Sequence, residues 1–165
     1  MNAIPIKKRF IELLVDYLVI VVYLIILFII NLFISFLIFK GLPEYNEIQA
    51  QSIATLTSVI PIIVIFTYLD YVKNGSIGKR VAGLTLTYKH KKISSSLLRN
   101  IVKFLPWQMG HIGVIHGIYS NFDMSAILIA NSGTILGLIL ICMGLFRNDK
   151  RHLGDLLAGT KVELR

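Results

Sequence analysis

Charge is scarce in this sequence. Asp, Glu, Lys and Arg make up 16% of its residues, against about 25% in soluble proteins. Hydrophobic residues make up 55%, and the mean hydropathy is +0.73. A water-soluble chain of 165 residues must leave a large share of its side chains on the surface, and too few polar ones are available to cover it. Cysteine is nearly absent. The lone Cys142 excludes an internal disulfide framework and a cysteine-ligated metal cluster, and within its apolar stretch it reads as a buried small hydrophobe. A serine–histidine–aspartate set, a zinc-protease motif and a phosphate loop are all missing. Gly75-Ser76-Ile77-Gly78-Lys79-Arg80 carries only half of a nucleotide-loop pattern. His111 and His116 are five apart, which puts them on different sides of a helix rather than at the spacing of four that suits a metal pair. An enzyme, a cofactor and a metal are therefore not expected. Nor is nucleic acid: the net charge of +8 comes without a recognisable nucleic-acid-binding signature.

What is present in quantity is apolar sequence in long runs. A helix needs about 20 mostly apolar residues to cross the hydrocarbon core of a bilayer. Four stretches qualify by length: residues 13–39, 53–72, 97–119 and 124–146. The first contains one charge, Asp16. It is too long for the apolar region of a cleaved signal, about 7–15 residues, and it closes on Ile38-Phe39-Lys40-Gly41-Leu42-Pro43, so cleavage is not expected. Pro61 is expected to kink the second. The third holds Arg99, Lys103, Pro106, His111 and His116, and its start reads as an amphipathic helix on the membrane surface. The fourth carries no charge.

The basic residues say which way these segments face. Sixteen of the seventeen lie before the first run, between the second and third or start of the third, and after the fourth; Lys40 alone falls on the other side. Basic residues accumulate on the cytoplasmic face. The expected fold is an all-α membrane protein, a four-helix transmembrane bundle in the cell membrane with both termini cytoplasmic. Residues 73–96 form its cytoplasmic loop and residues 147–165 its tail. Within these pieces Leu84, Leu86 and Tyr88 alternate with polar residues, as do Lys161 to Leu164, the period of half-buried strands. An isolated hairpin is marginal in water, so the two are expected to pair or to pack on the helices as a small cytoplasmic β element.

Ionisable groups within a span are costly and mark candidate sites. Arg9 and Asp16 are seven apart, on one face of a helix and about 10 Å from each other along its axis, with Glu12 between them in reach of both. Tyr23 and Asn31 continue this polar stripe into the bilayer. Small residues form two further faces, Ala126, Ala130, Gly133, Gly137 and Gly144 on one helix and Gly110, Gly113 and Gly117 on another. Such faces let helices approach closely, and packing within the chain is the favoured use of Gly133 and Gly137, ahead of dimerisation.

Four motifs in order resemble those of the RDD family of membrane proteins, named for one arginine and two aspartates. Arg9-Phe10-Ile11-Glu12-Leu13-Leu14-Val15-Asp16 is similar to the family's opening. Gly75-Ser76-Ile77-Gly78-Lys79-Arg80-Val81-Ala82-Gly83-Leu84 resembles its loop motif, with Gly78, Lys79 and Arg80 at the centre. Arg99-Asn100 fits the basic start of its next helix. Asp155-Leu156-Leu157-Ala158-Gly159-Thr160 resembles its closing motif. Two departures are visible: Gly154 stands where a histidine is common, with His152 nearby, and Glu12 replaces a small residue. The resemblance implies transport of a small ion or solute, with cation/proton exchange for some members and partner regulation for others. On the first reading Asp16 binds the cation or proton, and Asp155 pairs with Arg9 or Arg80. On the second the chain is an accessory protein that regulates or stabilises another membrane protein. The lipid bilayer is the expected surrounding in both, with a homo-oligomer or a second membrane protein as partner.

Overall fold

The computed structural model describes residues 4–165. The chain is mostly helical. It begins with α1 (Ile6–Leu37), then α2 (Glu47–Ala54), which passes through a π-helical turn over Thr55–Val59 into α3 (Ile60–Lys73). A short α4 (Ile77–Val81) and strand β1 (Leu84–Tyr88) lead to α5 (Ile93–Ser120) and α6 (Met124–Phe146). The chain closes with α7 (Leu153–Ala158) and β2 (Thr160–Leu164).

Three of these helical stretches are long and apolar enough to cross a membrane: Ile6–Leu37, Glu47–Lys73 and Met124–Phe146. The outward surface they present fits lipid rather than water. Phe28, Phe33 and Leu37 of α1, and Leu128 and Ile135 of α6, are all more than half exposed. Such broad apolar exposure is foreign to soluble monomers. Cys142 is likewise exposed, which corrects its expected burial: α6 shows most of its circumference to the surroundings, and position 142 lies on that side. The sequence places the first run at residue 13, but α1 starts at Ile6. At 32 residues it is about 48 Å long, so one end projects beyond a core of about 30 Å.

α5 does not meet the same apolar standard, although its 28 residues give it about 42 Å. It runs unbroken through Pro106 and packs along α6 and against α3. Its charges face inward, with Arg99 and Asn100 fully buried, so its polarity comes from being central. Glycine makes the α5–α6 approach possible. A Cβ on Gly113 would fall 2.6 Å from Ala130 N, and one on Gly133 would fall 2.8 Å from Pro106 O. Gly137 lies against Pro106 at ordinary contact distance. Gly113 and Gly133 thus pack within the chain, while a Cβ on Gly110 would meet nothing within 4 Å.

Pro61 does more than kink its helix. Lacking an N–H, it cannot donate to the carbonyl four residues back, that of Thr57. The helix widens there into the π turn, and Tyr23 Oη of α1 donates to Thr57 O at 2.5 Å. Tyr23 is therefore part of the packing between α1 and the second span. Asn31, also expected on the polar stripe, instead donates to Leu27 O of its own helix and stays exposed, with no hydrogen bond to another element among the described residues.

The expected strands pair with each other. β1 and β2 are antiparallel, with Leu84 opposite Leu164 and Tyr88 opposite Thr160. Their inner residues Leu84, Leu86 and Val162 close over Ile4 and Ala82 in a small apolar core.

Candidate functional site: a buried network of ion pairs

Only three residues of α1 are buried, and all three are ionisable: Arg9, Glu12 and Asp16. In such surroundings a charge is tolerable only when paired and hydrogen-bonded, and each of the three is. Arg9 donates to Glu12 Oε2 at 2.5 Å, to Gly144 O at 3.2 Å and to Lys150 O at 3.1 Å. The other oxygen of Glu12 meets Lys79 Nζ at 3.2 Å. Lys79, fully buried, also reaches Asp70 Oδ1 at 3.5 Å and Ser76 Oγ at 3.3 Å. The second Asp70 oxygen accepts from Arg99 at 2.6 Å and from Asn100 at 3.1 Å. Arg99 then turns its Nε to Asp155 Oδ1 at 2.6 Å. The result is an alternating chain, Arg9–Glu12–Lys79–Asp70–Arg99–Asp155, through α1, α4, α3, α5 and α7.

Asp16 forms a branch. Its oxygens accept from Ser76 Oγ at 2.9 Å, from the Gly78 N–H at 2.9 Å and from Lys103 Nζ at 3.1 Å. The loop motif is explained by this contact. Ser76 caps α4 through the Lys79 N–H, which aims the Gly78 N–H at Asp16. A Cβ at position 78 would fall 2.2 Å from Glu12 O and 2.6 Å from Asp16 Oδ1, so only glycine lets α4 lie against α1. Lys79 points into the network, while Arg80 remains exposed.

Four carboxylates and four cations make up the network. Of the residues singled out from sequence, Arg9, Glu12, Asp16, Lys79 and Asp155 meet in it, with Gly78 at its edge. Two details differ from expectation. Asp16 pairs with Lys103, and neither Arg9 nor Glu12 bonds to it. Asp155 pairs with Arg99, and not with Arg9 or Arg80, because α7 packs on α5 while Arg80 points away. Asp70 is the central residue that sequence reasoning passed over. It was visible as the one acidic residue near the end of a second long apolar run, the same signal that marks Asp16 in the first.

At the tail, His152 caps α7. Its Nδ1 accepts from the Gly154 N–H at 3.0 Å, and its own N–H reaches Asp155 Oδ2 at 3.3 Å. Burial, together with the cations Arg99, Lys103 and Lys79 and against the pull of Asp155, lowers its pKa to about 3, which makes it a neutral cap. Burial pushes the Asp155 carboxyl up, but Arg99, His152 and the Thr160 hydroxyl together hold it well below the usual carboxylate range. Tyr88, whose hydroxyl meets Asp70 O and Ser96, is pushed up to about 12, chiefly by burial.

A family profile described as the RDD family matches residues 4–159. The chain belongs to the RDD family. The matched region takes in every member of the network, and the arginine and two aspartates that carry the resemblance, Arg9, Asp16 and Asp155, lie at three of its corners. The chain has no significant match among curated proteins or among solved structures.

Beyond the network this RDD protein has a second polar cluster. Ser58 Oγ lies 3.2 Å from His111 Nε2, and Gln108 donates to Thr55 at 2.9 Å. Farther along, His116 bridges Glu47 at 2.9 Å and Ser125 at 3.0 Å. The two histidines thus face different elements, as their spacing requires. Between this cluster and the network sits an apolar layer of Ile62, Phe66 and Phe104, with the two rings edge to face at 5.1 Å. Among the described residues no three His, Cys, Asp or Glu side chains are grouped to hold a metal.

Proposed function

We propose that this RDD protein is a multi-pass cell-membrane protein that moves a small ion or solute by cation/proton exchange. In this reading α5 is the fourth crossing and both termini are cytoplasmic. The observation that carries it is the stacking along α3 and α5: polar groups on either side of a single apolar layer. Ser58, His111 and Gln108 lie on one side; Asp16, Asp70 and Lys103 lie on the other. Such a layer is the minimum barrier an alternating gate must open and close. Asp16 is the receiving carboxylate. A cation arriving there displaces the Lys103 ammonium, which releases one proton, so one positive charge enters for each that leaves. Lys103 suits this role because its side chain is 17% exposed, whereas the partners in the other pairs of the buried network are 3% or less. The reading is not enzymatic: it gives the buried carboxylates to ion pairing rather than bond cleavage.

The test is ion flux in proteoliposomes driven by a pH gradient. Wild type should exchange cations for protons and Asp16→Asn should not; full flux in that variant would end the reading. For orientation, reporters fused at either terminus should be cytoplasmic and one inserted between Ser120 and Met124 external.

One observation favours the accessory reading instead. Apart from Asp16–Lys103 the network is sealed and matched charge for charge, which is how a static brace is built. A stoichiometric second membrane subunit in gentle purification, with no flux from the isolated protein, would decide for it.

A further inference from the structure

The apolar walls of a groove between α1 and α6 play no part in that reading, although its charged end shares Asp16 and Lys103 with it. The groove encloses about 680 Å³, a size typical of small-molecule sites. Leu14, Val21, Leu140 and Ile141 form its walls, Phe104 and Trp107 its floor, and Arg9, Asp16 and Lys103 its charged end. The lip residues Leu14 and Ile141 remain exposed, so the groove opens sideways, toward lipid.

Its charged end is unevenly satisfied. Arg9 is sealed and gives its donors to Glu12, Gly144 O and Lys150 O. Lys103 carries three donors and, among the described residues, hydrogen-bonds only Asp16 Oδ2. Its other close neighbours are the faces of Phe66 and Phe104, with Nζ 4.4 and 5.2 Å from their ring centres. A cation with spare donors therefore looks into an apolar groove, while its carboxylate partner is 4% exposed. Positive charge is also in surplus at this end. Lys150, whose carbonyl accepts from Arg9, donates its Nζ to the carbonyl of the lining residue Leu145 and, among the described residues, meets no carboxylate. Inorganic phosphate would answer the charge but leave the walls bare. A zwitterionic lipid would fill the walls but bring its own cation to Lys103. An anion with an acyl tail answers both, and anionic lipids gather wherever basic residues flank a membrane helix.

We propose that the groove binds one anionic phospholipid, with its phosphate bonded to Lys103 and an acyl chain laid between α1 and α6. Native mass spectrometry of the full chain in detergent tests this, using phosphatidylglycerol and phosphatidylcholine with identical acyl chains. Wild type should bind the first about fivefold more tightly, the worth of one basic side chain toward an anionic lipid. Lys103→Gln should bring the two lipids level. Ile141→Trp, which fills the groove from an exposed position away from the ion pairs, should lower occupancy by both, and it decides the matter if Lys103→Gln does not fold. Millimolar inorganic phosphate should not displace the bound lipid. Equal affinities in wild type, an undiminished preference in Lys103→Gln, full occupancy in Ile141→Trp or a dimer mass in place of lipid would each overturn the proposal. No flux is measured, so transport and lipid binding can fail separately.

Discussion

Arg99 and Asp155 lie 56 residues apart in the chain and 2.6 Å apart in space, and their contact ties the tail to the helix bundle. Arg99 has a second carboxylate, Asp70, at 2.6 Å. Removing one partner of a buried pair costs about 3–5 kcal/mol because the other charge is left uncompensated. Arg99→Ala takes the arginine from two carboxylates at once, leaving Asp70 to Lys79 and Asn100 and Asp155 without its cation. Asp155→Ala leaves Arg99 still paired with Asp70. The arginine variant should therefore unfold at the lower temperature in a detergent melt, and the reverse order would contradict this geometry.

The glycines divide by what a methyl group would meet. Gly78→Ala drives Cβ into Glu12 O and Asp16 Oδ1 at 2.2 and 2.6 Å, whereas Gly137→Ala meets Pro106 at 3.5 Å. Overpacking costs about 1–3 kcal/mol, occasionally more, and α4 has only five residues with which to absorb it. Folded yield and melting temperature should fall for Gly78→Ala and stay near wild type for Gly137→Ala.

Acid should destabilise the tail in two stages. The folded pKa of His152 is depressed to about 3 from 6.5, so the unfolded chain takes up a proton that the folded one refuses. Stability is thus nearly complete above about pH 7 and falls progressively below it, by roughly 3 kcal/mol at about pH 4.5. Asp155, also depressed, begins to contribute its own loss only below its ordinary value of 3.8. His152→Asn keeps a capping oxygen for the Gly154 N–H and removes the titration. Melting temperature measured against pH should slope between about 6.5 and 4.5 in wild type and lie flatter in the variant.

Tyr23→Phe should cost about 1–3 kcal/mol by leaving Thr57 O without its donor in an apolar setting. The loss should shrink in a Pro61→Ala background, where a restored N–H can take that carbonyl. A double-mutant cycle on thermal stability measures the coupling, and additive losses would disprove the link.

Much of the framework was legible before any coordinates. Apolar runs of sufficient length mark α1, the second span and α6 because the hydrocarbon core sets a length that sequence records directly. The strands were readable from alternation at Leu84, Leu86 and Tyr88. Arg9, Glu12 and Asp16 could be placed on one face because helical spacing is a local property. Partner choice is not local. Asp155 could be matched to Arg9 or Arg80 by motif membership, but its real partner depends on how α7 docks on α5. Asn31 shares the spacing of the stripe and yet, among the described residues, bonds only within α1, since helical periodicity does not say where a neighbouring helix lies. α5 was the hardest element to read: its inward charges lower the average on which a membrane span is recognised.

The order in which a ribosome releases this chain gives the closing contact a further meaning. α1, α3 and α5 can be in place, with Asp70 already holding Arg99, before α7 has been made. Asp155 and Thr160, bonded to each other at 2.9 Å, leave the ribosome after every other member of the network. The final fastening of the bundle therefore waits until α7 has been made, and a chain cut short before residue 155 would keep the Asp70–Arg99 pair but lack the contact that ties α7 to it.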